Sequence, residues 1–202
     1  MFARNLMRIV LIAGMLLIGG WSRASVIYTQ TFSPNASVPA GNVPTVFNGN
    51  FTADPNAGNA VLLITVQLNV TGGYSGLFSL ALTGPDGSTT VDLIYQPGTA
   101  TSGLNLTLAD TGTTITSGSN LSGGTWAPYA PLSGLNGQTA NGVWTLAFAN
   151  EAGPADTLNS WTLNITVVPE PVNVALGVFG ILFATAIVAR RRAKKLAVSR
   201  QV

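Results

Sequence analysis

The chain has no cysteine and no histidine, and only 8% of its 202 residues are charged. Its nine Lys and Arg all lie at the two ends: Arg4, Arg8 and Arg23, then Arg190, Arg191, Arg192, Lys194, Lys195 and Arg200. Residues 25–168 hold no basic side chain at all, but six acids: Asp54, Asp86, Asp92, Asp110, Glu151 and Asp156. The formal net charge of +2 therefore conceals a body of net charge −6 (no bases against six acids).

Each absence excludes a chemistry. Neutralising phosphates takes Lys or Arg, so the body is not expected to bind nucleic acid. Without His or Cys it has no zinc-finger ligand set, no Ser-His-Asp triad and no thiolate nucleophile. Without Lys it has no Schiff-base amine and no phosphate-loop lysine. Without Cys there is no disulfide framework.

What is present begins with the ends. Arg4 and Arg8 precede an apolar run from Ile9 to Gly20, and Ser22-Arg23-Ala24 places small residues at the −3 and −1 positions. Residues 1–24 thus read as a secretory signal peptide cleaved after Ala24. The same run would also serve as an uncleaved membrane anchor. At the other end, Val172 to Ala189 contains no charge. As a helix it would be roughly 27 Å long, near the ~30 Å hydrocarbon thickness of a bilayer. Arg190, Arg191 and Arg192 follow at once. A basic cluster of this kind stays cytoplasmic, which leaves the body facing outward.

Ahead of the apolar run stands Val168-Pro169-Glu170-Pro171. Two prolines around a Glu neither continue a strand nor enter a helix interior. The order Pro-Glu-Pro, apolar helix, Arg-rich end over residues 168–195 resembles the PEP-CTERM sorting signal of Gram-negative bacteria. The resemblance implies recognition by an exosortase and removal of the tail. It implies an exported protein: first a precursor anchored in the inner membrane, then a component of the cell envelope or of an exopolysaccharide-rich extracellular matrix. Residues 196–202 run past the usual end of that signal.

The body reads as one all-β domain. Alternation places Leu62, Ile64, Val66, Leu68 and Val70 on one face, and likewise Phe78, Leu80 and Leu82. The same holds for Leu104, Leu106 and Leu108, for Trp144, Leu146 and Phe148, and for Trp161, Leu163, Ile165 and Val167. Gly-Pro-Asp-Gly (84–87), Gln-Pro-Gly (96–98) and Ala-Gly-Pro-Ala-Asp (152–156) mark turns. Short alternating strands between such turns predict a β-sandwich or jelly roll over residues 60–167. Residues 25–59 read as an edge strand plus a long loop.

Five segments carry a second resemblance. Leu80 to Ser88 is similar to the "L-x-L-x-S-P-x-G-T" turn of the P/Homo B domain, the jelly-roll module that follows subtilisin-like catalytic domains. Leu106 to Asp110, Leu132 to Gln138, Asn141 to Leu146 and Gly153 to Leu163 resemble further segments of that domain, in its order. Two positions depart: Ser75-Gly76-Leu77 stands for a Gly-Asp-Leu, and Asn150-Glu151 for an Asp after the "W-x-L" strand. Acids around these loops are calcium-ligand candidates in that family.

The candidate sites follow. Asp86, Asp110, Glu151 and Asp156 fall at turns or strand ends and are candidate calcium ligands, calcium taking several carboxylate and carbonyl oxygens. Alternatively they are solvated turn acids, with Asp86 bonding its own backbone. Trp126 and Tyr129 sit in an irregular segment, where they either stack on a sugar ring or cap the end of the sandwich; Tyr74 is a similar case. Two carboxylates suffice for a glycosidase, but no spacing here favours a pair. The expectation is an exported non-enzymatic envelope or matrix protein meeting an exosortase, a membrane and extracellular polysaccharide. The alternative is a calcium-dependent glycan- or protein-binding module.

Overall fold

In a computed structural model of the chain, residues 25–53, 60–98, 103–168, 180–183 and 185–187 are described. Among the described residues ten strands build the body: β1 Val26–Phe32, β2 Ala36–Val38, β3 Thr45–Phe51, β4 Ala60–Gly72, β5 Phe78–Thr83, β6 Thr90–Tyr95, β7 Leu104–Thr114, β8 Thr125–Ala127, β9 Gly142–Asn150 and β10 Asp156–Val168. Short 3-10 turns occupy Ser75–Leu77 and Leu132–Leu135. The first sheet runs β1-β10-β4-β7-β8, with β2 also on β10, and the second runs β3-β9-β5-β6. The pairings are antiparallel except β7 with β8. The architecture is an all-β, two-sheet sandwich, as the alternation of the sequence predicts.

The alternating faces meet between the sheets. Val66, Leu68, Leu108, Leu163 and Ile165 from one sheet and Phe78, Leu82, Trp144, Leu146 and Phe148 from the other are buried in one core. Burying side chains of this size is the main term that offsets chain entropy, at roughly 1.5–3 kcal/mol each. Phe78 and Phe148 meet edge to face at 5.0 Å. The Trp144 indole N–H, buried with its ring, donates to the Ala140 carbonyl at 2.9 Å. A buried donor without a partner would be costly.

β10 is paired along its whole length on the β4 side. On its other side β1 covers residues 161–167 and β2 covers 156–158. Between β1 and β2 the chain turns at Asn35, with φ +44°. The stretch expected to be one edge strand and a loop thus supplies three strands: two on β10 and one, β3, on the far sheet. Val26–Phe32 reads as a strand in the sequence; the polar, irregular composition of the rest hid β2 and β3.

Leu62 differs from its expected place. The β4–β10 register shifts between Thr166 and Val167, where Val61 and Leu63 pair and Leu62 is the extra residue. A bulge of this kind turns the alternation over. Val61 and Ile64 are buried, while Leu62 and Leu63 are 48% and 47% exposed. A second shift between Leu80 and Ala81 leaves Leu93 unpaired on β6, and both Leu93 and Ile94 are buried.

The outer faces carry no basic residue, so hydroxyls and amides join neighbouring strands instead. Thr29 donates to Asn164 at 2.7 Å and Asn164 donates to Thr65 at 3.1 Å, linking β1, β10 and β4 in one row. Asn159 donates to Asn69 at 2.9 Å and Thr145 to Asn48 at 3.0 Å. Cross-strand pairs of this type contribute roughly 0.2–1 kcal/mol each.

Both open sides of the sandwich are closed. Gln30 on β1 donates to the Asn50 carbonyl at 2.8 Å and accepts from the Thr52 amide at 3.0 Å, tying the first sheet to the β3 end. On the other side, the Tyr129 and Ala130 amides bond the Leu93 and Asp92 carbonyls at the edge of β6. Exposed strand edges invite pairing with other chains, and these bonds blunt them. Residues 180–183 and 185–187 are helical, and Thr185 donates to the Leu182 carbonyl at 2.8 Å. No helix among the described residues is long and apolar enough to cross a membrane. The segment expected to span the bilayer (172–189) lies largely outside the described residues, and the expected signal peptide (1–24) wholly outside them.

The bulge generates a test. Ile64→Ala is expected to cost about 2–5 kcal/mol through the cavity it leaves. Leu62→Ala is expected to cost less than about 1 kcal/mol, because its side chain already meets water. Urea titration of the two variants checks the difference, and equal losses would place Leu62 in the core.

Candidate functional site

The four acids singled out in the sequence do not gather. β5 runs from Phe78, opposite Asn150, to Thr83, opposite Thr145. Asp86 follows the latter end of the strand, and Glu151 follows Asn150 at the former. Among the described residues no group of three or more His, Cys, Asp or Glu stands where it could hold a metal ion.

Asp86 is committed to its own turn. Its carboxylate accepts from the Ser88 amide at 3.0 Å, the Thr89 amide at 2.9 Å and the Thr89 hydroxyl at 2.6 Å. These bonds, the Thr89 hydroxyl foremost, favour the charged form and lower its pKa to about 2. Pro85 and Gly87, the latter with φ +69°, set the turn on either side. Asp110 is committed as well. Its two oxygens accept from the Leu132 amide at 2.6 Å and the Ser133 amide at 2.9 Å, pinning the 3-10 turn to β7. Glu151 accepts from the Ser79 hydroxyl at 3.4 Å.

Asp156 is different. It opens β10 and is 1% exposed, yet neither carboxylate oxygen has a hydrogen-bond partner. Burial alone raises its pKa to about 6. The room for it comes from Gly73, where an added Cβ would lie 1.7 Å from Asp156 Oδ1. Gly73 also has φ +58°, so glycine is required there twice over. At the start of the same β9–β10 connection Asn150 is fully buried. Its amide nitrogen donates to the Pro154 carbonyl at 2.8 Å, and its Oδ1 has no partner. Three buried oxygens without donors therefore border one connection. Buried polar atoms are almost always satisfied, so this set is exceptional. The sequence marked Asp156 as a turn acid and Asn150 only as a departure from the P-domain pattern; that both are buried with unpaired oxygens was not legible in it.

The aromatics divide as follows. Trp144 and Trp161 are core, at 0% and 1% exposed. Trp161 packs on Phe32 with centroids 4.5 Å apart. Trp126 lies in β8, half-buried against the core, and its indole N–H donates to the Gly123 carbonyl at 2.7 Å. Tyr74 is 47% exposed and lies over Gly153. Tyr129 is 70% exposed, and its ring neighbour is Tyr95, at 5.8 Å, not Trp126. The pair borders a cleft of about 170 Å³ lined also by Gln96, Pro97, Ile115, Thr116 and Ser117. In the sequence Tyr95 stands only as the end of an expected strand over residues 91–95, and Gln96 as part of the Gln-Pro-Gly turn. A shallower trough of about 300 Å³ over β5, β6 and β9 holds Asp92 and Glu151. Of the Val168-Pro169-Glu170-Pro171 segment, Val168 ends β10 opposite Ala60. Pro169, Glu170, Pro171, Arg190, Arg191 and Arg192 lie outside the described residues.

No protein-family model and no curated protein match the chain. Among solved structures, the chain is similar to the serine protease of Aeromonas sobria in complex with the chaperone ORF2. The two are 14% identical, with a TM-score of 0.50, and the match covers 78% of this chain and 29% of that one. The same protease solved by itself matches with a TM-score of 0.48 at 14% identity, covering 76% of this chain and again 29% of that one. The infectious bursal disease virus Gx strain structure matches with a TM-score of 0.32 at 15% identity, over 75% of this chain and 42% of that one. The chain thus spans under a third of the protease's length, and at this identity the likeness is one of fold.

Asp156 generates the prediction here. In the unfolded chain it ionises near 3.8, and in the folded chain near 6. The folded state holds the extra proton between these values. Its contribution is greatest below pH 3.8 and is lost as pH rises through 6. Asp156→Asn is expected to remove that slope and to stabilise the protein at pH 8 by on the order of 1–3 kcal/mol. Thermal melts at pH 4, 6 and 8 check it; an unchanged slope would acquit this carboxyl.

Proposed function

We propose that this chain is an exported, non-enzymatic component of the cell envelope or extracellular matrix of a Gram-negative bacterium. It carries a P-domain-like jelly roll, reaches the membrane by its N-terminal signal, and is held by the 172–189 helix until an exosortase removes the tail. The observation that carries this reading is the order Val168-Pro169-Glu170-Pro171, uncharged run, Arg190-Arg191-Arg192. A surface of hydroxyls and amides with no cation supports a life among polysaccharides, since it hydrates well and offers no charge for anionic polymers to capture. Glu170→Ala in the native host is expected to leave the tail uncleaved and the protein in the membrane fraction. Normal processing of that variant, read by the mass of the C-terminus, would defeat the sorting reading.

A second reading is favoured by Asp156. Of the four candidate calcium ligands, Asp86 and Asp110 already spend their oxygens on backbone amides. Only Asp156, with Asn150 Oδ1 beside the same connection, offers buried oxygens without donors. Calcium takes six to eight oxygens, so Glu151, carbonyls or water would complete the set. In this reading the ion holds Asp156 ionised and calcium stabilises the fold. Millimolar calcium is expected to raise the Tm at pH 7.5, and EDTA to reverse it, with no effect in Asp156→Asn. A melt indifferent to both would remove calcium from the account.

A further inference from the structure

Tyr95 ends β6 and Tyr129 follows β8, with ring planes inclined at 48°. The domain buries Trp144, Trp161 and Phe148 completely, yet leaves these two rings 56% and 70% exposed. We propose that the cleft between them binds one neutral sugar ring of a polysaccharide. The tyrosine faces would stack on the ring's C–H surface, and Gln96, Thr116 and Ser117 would bond its hydroxyls.

The chemistry of the lining selects that ligand. Apolar area comes from the tyrosines, Pro97 and Ile115, and hydrogen-bonding groups from one amide and two hydroxyls. An apolar wall with a few placed polar groups is the usual make-up of a small-molecule site. The lining holds no charged side chain, so nothing in it recognises a phosphate, sulfate or carboxylate. Tyrosine presents rigid amphipathic area at little entropic cost, which suits recognition. At about 170 Å³ the cleft lies below the roughly 300–1,000 Å³ of sites for drug-sized ligands, which fits a single ring within a longer chain.

The cleft is also built before any ligand arrives. The Gln96 amide bonds the Phe78 carbonyl at 2.9 Å, and the Gly118 amide bonds the Pro97 carbonyl at 3.2 Å, joining the two walls. The Tyr129 amide bonds the Leu93 carbonyl at 3.0 Å, fixing the third. Gln96 has φ +39°, in the left-handed region that a residue with a Cβ rarely adopts. Strained backbone of this kind gathers at binding sites, where neighbouring structure enforces it. Trp126 and Tyr74 have no part in the lining.

The proposal rests on the polysaccharide partner put forward above, but its test does not depend on tail processing. The full chain, in a detergent without a sugar headgroup, is titrated by affinity electrophoresis against soluble β-glucan, mannan, galactan and dextran, with dextran sulfate as the charged comparison. Saturable binding to at least one neutral polymer is expected. It should weaken tenfold or more in Tyr129→Ala and Tyr95→Ala and persist in Tyr129→Phe and Tyr74→Ala. Circular dichroism shows whether each variant is folded; Tyr129→Phe, which keeps the ring, separates lost stacking from lost structure. Absence of saturable binding to all four neutral polymers overturns the proposal, as does binding that both alanine variants retain or a preference for dextran sulfate. Failure here with normal tail cleavage leaves the sorting reading standing; failure of cleavage with intact binding does the reverse.

Discussion

The pairing of β10 with β4 on one side and with β1 and β2 on the other is the constraint on which the molecule depends. β10 joins the N-terminal strands to the rest of the first sheet. It also carries Trp161, Leu163, Ile165 and Val167 into the core. The contact of Trp161 with Phe32 passes on across the sandwich. A Cβ on Gly49 of β3 would lie 2.7 Å from the Phe32 ring, so only glycine lets the two sheets approach there. One strand thereby sets the position of both sheet edges on that side, and Gln30 fastens them.

The same strand explains why Asp156 is where it is. The residue belongs to the β10 ladder, opposite Gly72 on one side and Val38 on the other. Its backbone is held by two neighbours, so its side chain has no freedom to seek water. A carboxyl in that position stays neutral, draws in a cation, or weakens the fold. Asp86 shows the contrary arrangement, with three donors gathered around an exposed carboxylate. The two residues have the same chemistry and opposite pKa displacements because one lies in a hairpin and the other in a ladder.

Much of the sandwich was legible as residue alternation. Trp144, Leu146 and Phe148 all point inward as their spacing requires, and so do Leu104, Leu106 and Leu108. Leu62 was misplaced because a bulge is set by the partner strand's register, which a single strand does not reveal. β2 and β3 were hidden because Ala36–Val38 is too short to show a period and Thr45–Phe51 alternates Gly and Asn with its apolar residues. The candidate site was the least legible part. Tyr129 drew notice as an aromatic in an irregular segment, but its partner Tyr95 lies more than thirty positions earlier and meets it only because residues 129–130 pair with the edge of β6. The four acids do not form one group for the corresponding reason: Asp86 and Asp110, at turns and strand ends like the others, are spent on backbone amides, while Glu151 and Asp156 flank the β9–β10 connection.

The hydroxyl and amide rows that take the place of ion pairs on the outer faces have a further consequence. They let the body dispense with every lysine and arginine between Arg23 and Arg190. A trypsin-like protease therefore finds no bond to cut in that whole interval, whether the domain is folded or open. Reagents that acylate or cross-link primary amines find no side chain there either. Endurance against that class of enzyme is a property of composition and would survive complete unfolding.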